Sequence, residues 1–501
     1  MKRLSHLGLA ALAAGGLLAA APASAETIYG GGSTAAFGLY RSWFDCYGRV
    51  FDPNAWPRNA LCTAAAGYPV DGTALFAYAP VGSYAGIQAL IRQTSATSVP
   101  SSTPYETASI PYAEGTTGYG TGPNFWDFSG STTPLTGAEA GGYTNPTTGA
   151  LAARGPAIQI PSAGIPVTIP VNTTGLTISR ADPAGGASGV YLSRKAYCGI
   201  FTGYITNWND PVLTQDNNGV QYHANRRITV VRSNGNGMTY LLSRHLTTVC
   251  NGGFDGDGSN TNHTGAALGN LAYWKGGAAP AVTWPTTGTF VSAAGDAGVA
   301  RTVSQTLGAI GYVSPDFTRM IANPVPLEDP VTHASVPNPQ VAVLQNYSRF
   351  ISATHTGSQP SVANTAAALA GFVLPPWGPI PPRPTFPPYY NTELWSRSLD
   401  TAALRNPMAA GAYPIVGFTI LDFYACYFPA AETATLKGLV SWYTGHHPTV
   451  SAAVPDQIAR NRGLVPLPQT VKDGVWAFVN DATLGLKTGP IPGTCTISSG
   501  T

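Results

Sequence analysis

Three times in this chain a short apolar run breaks at a glycine turn and passes straight into a helical pattern. The segments are "TIYGGGSTAAFGLYRSWF" (27–44), "FAYAPVGSYAGIQAL" (76–90) and "RITVVRSNGNGMTYLLSRHL" (227–246). Phe37, Tyr40, Trp43, Phe44 and Tyr47 fall at helical spacing, as do Ile87, Leu90 and Ile91, and Leu242, Leu246 and Val249. Strand, tight turn and helix in repeated succession predict α/β layers, with each helix laid back over a sheet. Other segments extend the pattern. "IQIPSAGIPVTIPVN" (158–172) reads as strand with proline interruptions. "SRKAYCGIFTGYITNWND" (193–210) reads as helix then turn, and "RTVSQTLGAIGYVS" (301–314) as helix, turn and strand. The stretch from "TATLKGLVSWYTG" to "VKDGVWAFVND" reads mainly as helices. Two segments break the rhythm and are expected to be surface insertions, about 97–150 and 374–391.

The first residues set the compartment. Lys2 and Arg3, an apolar run and then Ala23–Ser24–Ala25 form the pattern of a secretory signal peptide, residues 1–25, and place the protein in the periplasm or outside the cell. No other stretch is long and apolar enough to span a bilayer, so a soluble mature protein is expected. Without the signal, 24 Lys+Arg face 24 Asp+Glu, a balance that gives no reason to expect nucleic acid or an anionic membrane as partner. Charged residues are only 10% of the chain, while Gly and Pro number 58 and 43, so the fold is rich in loops. Six cysteines in an exported chain favour disulfides, with fifteen possible pairings. The expectation is pairing of sequence neighbours: Cys46–Cys62, Cys198–Cys250 and Cys426–Cys495.

A helix N-terminus has unpaired N–H groups and a partial positive charge, so each strand–turn–helix unit is a candidate anion site. Thr34 and Ser83 add hydroxyls to two of them, and Arg232 adds a rigid fork of donors to the third. Taken singly, a Ser or Thr before a helix is an ordinary cap and a glycine turn is ordinary punctuation. Ser33, flanked by Gly32 and without an assigned base, reads as a turn residue rather than a nucleophile. "FDGDGSNTNH" (254–263) starts like a calcium loop with Asp255, Asp257 and Ser259, but lacks the later glycine and glutamate. The pair His446–His447 has no further ligand in sequence, so no metal and no cofactor are expected.

In their order, "GGGSTAAFGLYRSW", "CGIFTGYITNWNDP", "ITVVRSNGNGMTYLLSRHL" and "TLGAIGYVS" resemble the phosphate-binding proteins of bacterial phosphate ABC transporters, the PstS family. The resemblance runs from about Gly30 to "GLVPLPQTV" (463–471), outside the two insertions. It implies a two-lobed, type II periplasmic-binding architecture, with lobe I at 26–164 and 313–501 and lobe II at 165–312. It also implies a dehydrated phosphate held by helix ends, hydroxyls, one arginine and one aspartate that takes the ligand's proton. The positions carried over are Thr34, Ala35, Ser83, Arg232 and Gly237. Four positions depart: Asn234 for an aspartate, Asn236 for a serine, Met238 for a threonine, and Thr132 for the proton-accepting aspartate. Loss of a donor and of two carboxylates leads us to expect capture of phosphate, a related oxyanion or a larger anionic metabolite with altered selectivity, in which selection for a protonated anion is weakened. An ABC permease as partner and a monomeric, non-enzymatic carrier are the accompanying expectations. The alternatives are a secreted phosphatase-like enzyme using the same cleft, or an extracellular adhesive or scavenging protein.

Overall fold

The computed structural model describes residues 27–50, 59–92, 126–135, 137–143, 150–180, 189–233, 235–250, 274–318, 340–348, 357–375, 392–451 and 453–497. The expected signal peptide, the calcium-like segment 254–263, Asn234 and most of both expected insertions lie outside these residues. Among the described residues no helix is long and apolar enough to cross a membrane.

The chain forms α/β layers on two sheets. The first sheet joins β1 (Thr27–Gly32), β2 (Arg49–Val50), β3 (Leu75–Ala79), β4 (Phe128–Ser131), β5 (Ala157–Pro166), β13 (Val416–Tyr424) and β15 (Val465–Pro466). Its order is β15-β5-β13-β4-β1-β3-β2. Strands β3, β1 and β4 run parallel, whereas β13 is antiparallel to both β4 and β5. The second sheet joins β6 (Pro170–Val171), β8 (Thr229–Arg232), β9 (Thr289–Ser292), β10 (Ala309–Ile310) and β11 (Gln340–Val341), in the order β11-β6-β10-β8-β9. Here β8 is parallel to both β9 and β10. Two short pairs complete the strands: β7 (Tyr191–Leu192) with β12 (Val343–Leu344), and β14 (Cys426–Tyr427) with β16 (Lys487–Thr488).

The helices of the described residues include α1 (Phe37–Tyr47), α2 (Ser83–Arg92), α3 (Arg194–Phe201), α4 (Gly237–Val249), α5 (Gly295–Gln305), α6 (Ala430–Tyr443), α7 (Ala453–Asn461) and α8 (Gln469–Asn480). The aromatic spacing of α1 becomes core. Phe44 stacks on Phe76 of β3 at 4.8 Å and Trp43 on Tyr443 of α6 at 4.9 Å, fastening the helix to sheet and C-terminal helices at once. Leu242, Leu246 and Val249 are buried as their spacing predicts, but so are Tyr240, Ser243, Arg244 and His245. Helix α4 is therefore covered nearly all round. Its Arg244 reaches Asp400 and the carbonyl of Val416, outside the second sheet.

Two boundaries differ from the sequence reading. The expected insertion 97–150 contains β4, a central strand of the first sheet, with Trp126 and Phe128 buried. Its "FSGS" lacks the β-branched signature, so the strand is specified by the neighbours that enclose it rather than by its own propensity. The second sheet also takes in β11, beyond the expected end of lobe II at residue 312. The connections between the sheets run side by side. Val167 N–H donates to Ile415 O at 2.9 Å, and Tyr413 Oη donates to Val167 O at 2.8 Å. The three disulfides are Cys46–Cys62, Cys198–Cys250 and Cys426–Cys495, the neighbour pairing expected.

Candidate functional site

In a sheet of parallel strands the carboxyl ends all open on one edge, where helix N-termini and turns gather. The first sheet presents the turns after β1, β3 and β4 on that edge, and the second sheet presents those after β8, β9 and β10. These two edges meet. Gly237, at the start of α4, sits so close to the first sheet that a Cβ on it would lie 1.5 Å from Thr132 Oγ1 and 2.7 Å from Ser83 Oγ. Only glycine permits that approach. Tyr84 N–H reaches Gly235 O across the same contact at 3.4 Å.

Each turn is built from local chemistry. Gly32 takes φ +130 and would collide with Gly130 O if it carried a side chain, so the chain turns off β1 directly beneath β4. Ser33 N–H donates to Gly130 O at 2.7 Å, and Gly82 N–H donates to Gly32 O at 2.7 Å, locking the three first-sheet turns together. Ser33 Oγ accepts from Ala36 N–H at 3.3 Å, the role of a helix-start residue. Ser83 Oγ accepts from Thr132 N–H at 3.2 Å and lies 3.3 Å from Thr132 Oγ1. In the second sheet Asn236 caps α4, its Oδ1 accepting from Met238 N–H at 2.8 Å. Beneath it, Tyr312 Oη lies 2.7 Å from Thr239 Oγ1 and donates to Ser233 O at 2.9 Å, pinning the loop from below.

Two clusters of polar groups bridge the sheets. One is Ser83, Thr132 and Gly237. The other is Thr34, Asn236 and a residue the sequence reading passed over, Asp296. Thr34 Oγ1 donates to Asp296 Oδ2 at 3.1 Å, and Asn236 Nδ2 donates to Thr34 Oγ1 at 3.3 Å. Asp296 lies in the first turn of α5 and is wholly buried, with Ser314 N–H donating to its Oδ1 at 3.1 Å. Burial pushes its carboxyl up to about 7, against the pull of those hydrogen bonds. Its sequence signal, "GDAGVA", is that of an acidic residue in a first helical turn, which ordinarily needs no more explanation than the helix dipole. At the end of β8, the Nε and Nη1 atoms of Arg232 are buried without a hydrogen-bond partner among the described residues. A desolvated guanidinium edge of this kind is costly unless an anion meets it.

The side chains of Ala35 and Met238 are buried in the hydrophobic core, so Met238 packs among apolar neighbours, whereas the backbone N–H for which Ala35 was carried over is not touched by that burial. His446 Nε2 lies 3.3 Å from Asp473 and its ring stacks on Trp476 at 4.4 Å. Among the described residues, no group of three or more His, Cys, Asp or Glu side chains is gathered as a metal site.

Residues 19–345, more than half of the chain, match the model of the PBP superfamily domain. A curated relative named alkaline phosphatase L, from Pseudomonas aeruginosa, is 28% identical over 320 residues, covering 64% of this chain and 66% of its own, just under two thirds. A relative named phosphate-binding protein, from an unknown prokaryotic organism, is 27% identical over 72% of this chain and 82% of its own. The solved phosphate-binding protein of Stenotrophomonas maltophilia superposes with TM-score 0.54 at 25% identity, over 94% of this chain and 98% of that one.

Proposed function

The chain belongs to the PBP superfamily, and from that premise we propose that it is an exported carrier that captures inorganic phosphate or a related tetrahedral oxyanion between its two lobes. The observation that carries this reading is the buried guanidinium edge of Arg232, without a hydrogen-bond partner among the described residues, beside the loop that presses Gly237 against Ser83 and Thr132. Hydroxyls, helix starts and one arginine from opposite sheets form the donor set a small dehydrated anion requires. The name of one relative and the likeness to a solved phosphate-binding protein support the choice of anion. Three disulfides and the signal-like residues 1–25 support export. A permease that receives the closed, monomeric carrier is the partner this role calls for.

Calorimetry on the mature chain with phosphate, arsenate, sulfate and organic phosphates tests the reading. We expect saturable phosphate binding, weakened at least ~100-fold by Arg232→Met, since a charged hydrogen bond and a desolvated charge pair are lost together. Absence of binding to every one of these anions would refute it. The relatives named alkaline phosphatase L favour one other reading, hydrolysis of phosphoesters in the same cleft. Turnover of a chromogenic phosphoester, assayed with and without added divalent metal, separates the two: a carrier binds and releases without turnover.

A further inference from the structure

We propose that Asp400 is a positioning residue for anion capture: through Arg244 it grips α4 and so holds the turn that carries Arg232 and Gly237 in place against the first sheet. The inference rests on the anion-binding reading above and adds to it the residue that keeps the two halves of the site in register. Its basis is where residues 400–416 run. Both ends of this segment are anchored in the first sheet. The helix before it, Thr392–Leu399, holds β5 through Ser396 Oγ, which accepts from Gln159 Nε2 at 3.2 Å, and the segment ends as β13. Between those anchors it grips α4 and α3. Asp400 Oδ1 pairs with Arg244 Nη1 at 2.6 Å, and its Oδ2 accepts from Tyr240 Oη at 2.7 Å. Arg244 Nη2 donates to Val416 O. His245 Nδ1 lies 2.7 Å from Arg405 O, and Arg194 Nη2 of α3 donates to Asn406 Oδ1 at 3.1 Å. Cys198–Cys250 joins α3 to the end of α4, so a hold on either is a hold on both.

The grip fixes an angle as well as a place. Arg244 is 1% exposed, and its two Nη atoms reach two acceptors of one segment, which sets the rotation of the helix. Asp400 also holds Arg405 at 2.8 Å on its outer side. Beside the pair, a Cβ on Gly417 would lie 2.5 Å from Leu241 Cδ2, so the start of β13 and α4 are in contact at the same point. Separating a buried charge from its partner is costly, so α4 has one low-energy seat. That seat lies about two turns from Gly237, ~10 Å at 1.5 Å per residue. A tilt of ~10° about it would swing the start of α4 by ~2 Å, more than hydrogen bonds to a small anion allow. The same tilt would part the contact across the sheets, where Tyr84 N–H reaches Gly235 O at 3.4 Å.

The test is hydrogen exchange and phosphate-binding kinetics on the full mature chain and on Asp400→Asn. Without any anion, exchange of the Tyr84 amide should quicken at least ~10-fold in Asp400→Asn relative to the amides of β4 and β13. With inorganic phosphate, the dissociation rate should rise at least ~10-fold while the association rate changes less. A merely structural role would lower the melting temperature but leave that exchange ratio, and the dissociation rate of the folded molecules, unmoved. Asp400→Glu keeps the charge and should recover most of the slow dissociation. Tyr240→Phe removes one bond to Asp400 and no charge; it stands in if Asp400→Asn fails to fold and should give ~3-fold in both readouts. An unchanged dissociation rate in the folded variants overturns the assignment, whatever the exchange shows, and leaves the carrier reading intact. If the unmodified chain binds no phosphate, the carrier reading falls and this assignment with it.

Discussion

At the scale of single residues, the first turn of α4 holds two positions whose substitution separates site from scaffold. Met238 invites replacement by the donor that the family resemblance implies, yet its side chain is fully buried among apolar neighbours. We expect Met238→Thr to lower stability by about 1–3 kcal/mol, from lost packing and a buried hydroxyl, without tightening anion binding. Chemical denaturation and calorimetry on the same sample check both halves. Gly237→Ala should leave a folded chain but weaken anion capture at least ~10-fold, because its methyl would meet Thr132 Oγ1 at 1.5 Å and hold the sheets apart. A titration with phosphate measures this directly. Thr34 and Ser83 were legible because turn chemistry exposes them, as hydroxyl residues between an apolar run and a helix, whereas Gly237 came from the family resemblance. Asp296 was not legible. An acid in a first helical turn looks the same in sequence whether it faces water or the hydroxyl of a residue 262 positions away.

At the scale of elements, β13 carries a buried carboxyl through the middle of the first sheet, with Ser131 and Glu139 close to it. Asp422 lies between β4 and β5, wholly buried, and burial pushes it up to about 8. A carboxyl raised in the folded state binds its proton more tightly there than in the unfolded chain. Its contribution to stability is present in acid and is lost as pH rises through about 8. Thermal unfolding should therefore show Asp422→Asn raising the melting temperature relative to the unmodified chain more at pH 9 than at pH 5. A difference that does not change with pH would contradict this. The disulfides act on the same scale. Cys426–Cys495 ties β14 to the C-terminal segment across 69 residues, and the double alanine variant should lose about 4 kcal/mol by loop entropy, read from denaturant midpoints. Pairing by sequence neighbours proved right. The strand-like start of "FWDFSGSTTPLT" (125–136) was legible at the end of the expected insertion, and β4 lies there between β1 and β13.

At the scale of the whole molecule, the parallel strand ends of two sheets face each other, and the connections between the sheets run alongside one another at Val167 and Ile415. Such a pair of adjacent crossings can bend as a unit while each sheet stays rigid. If closure accompanies capture, small-angle scattering of the mature chain should show a smaller radius of gyration when phosphate is added. Arg232→Met should show none of that change at the same phosphate concentration. Compaction of the variant to the same extent would separate closure from anion binding.

By itself the sequence determined the layers, the helix faces and the glycine and hydroxyl turns that lead into helices. These are local matters, written in periodicity and in the residues that turns demand. Tertiary structure decided which of those turns meet and what stands between them. Asp296 joins Thr34, Gly237 touches Thr132, and Met238 turns into the core, because two sheets far apart in the chain place their carboxyl edges together. No window of sequence contains that contact.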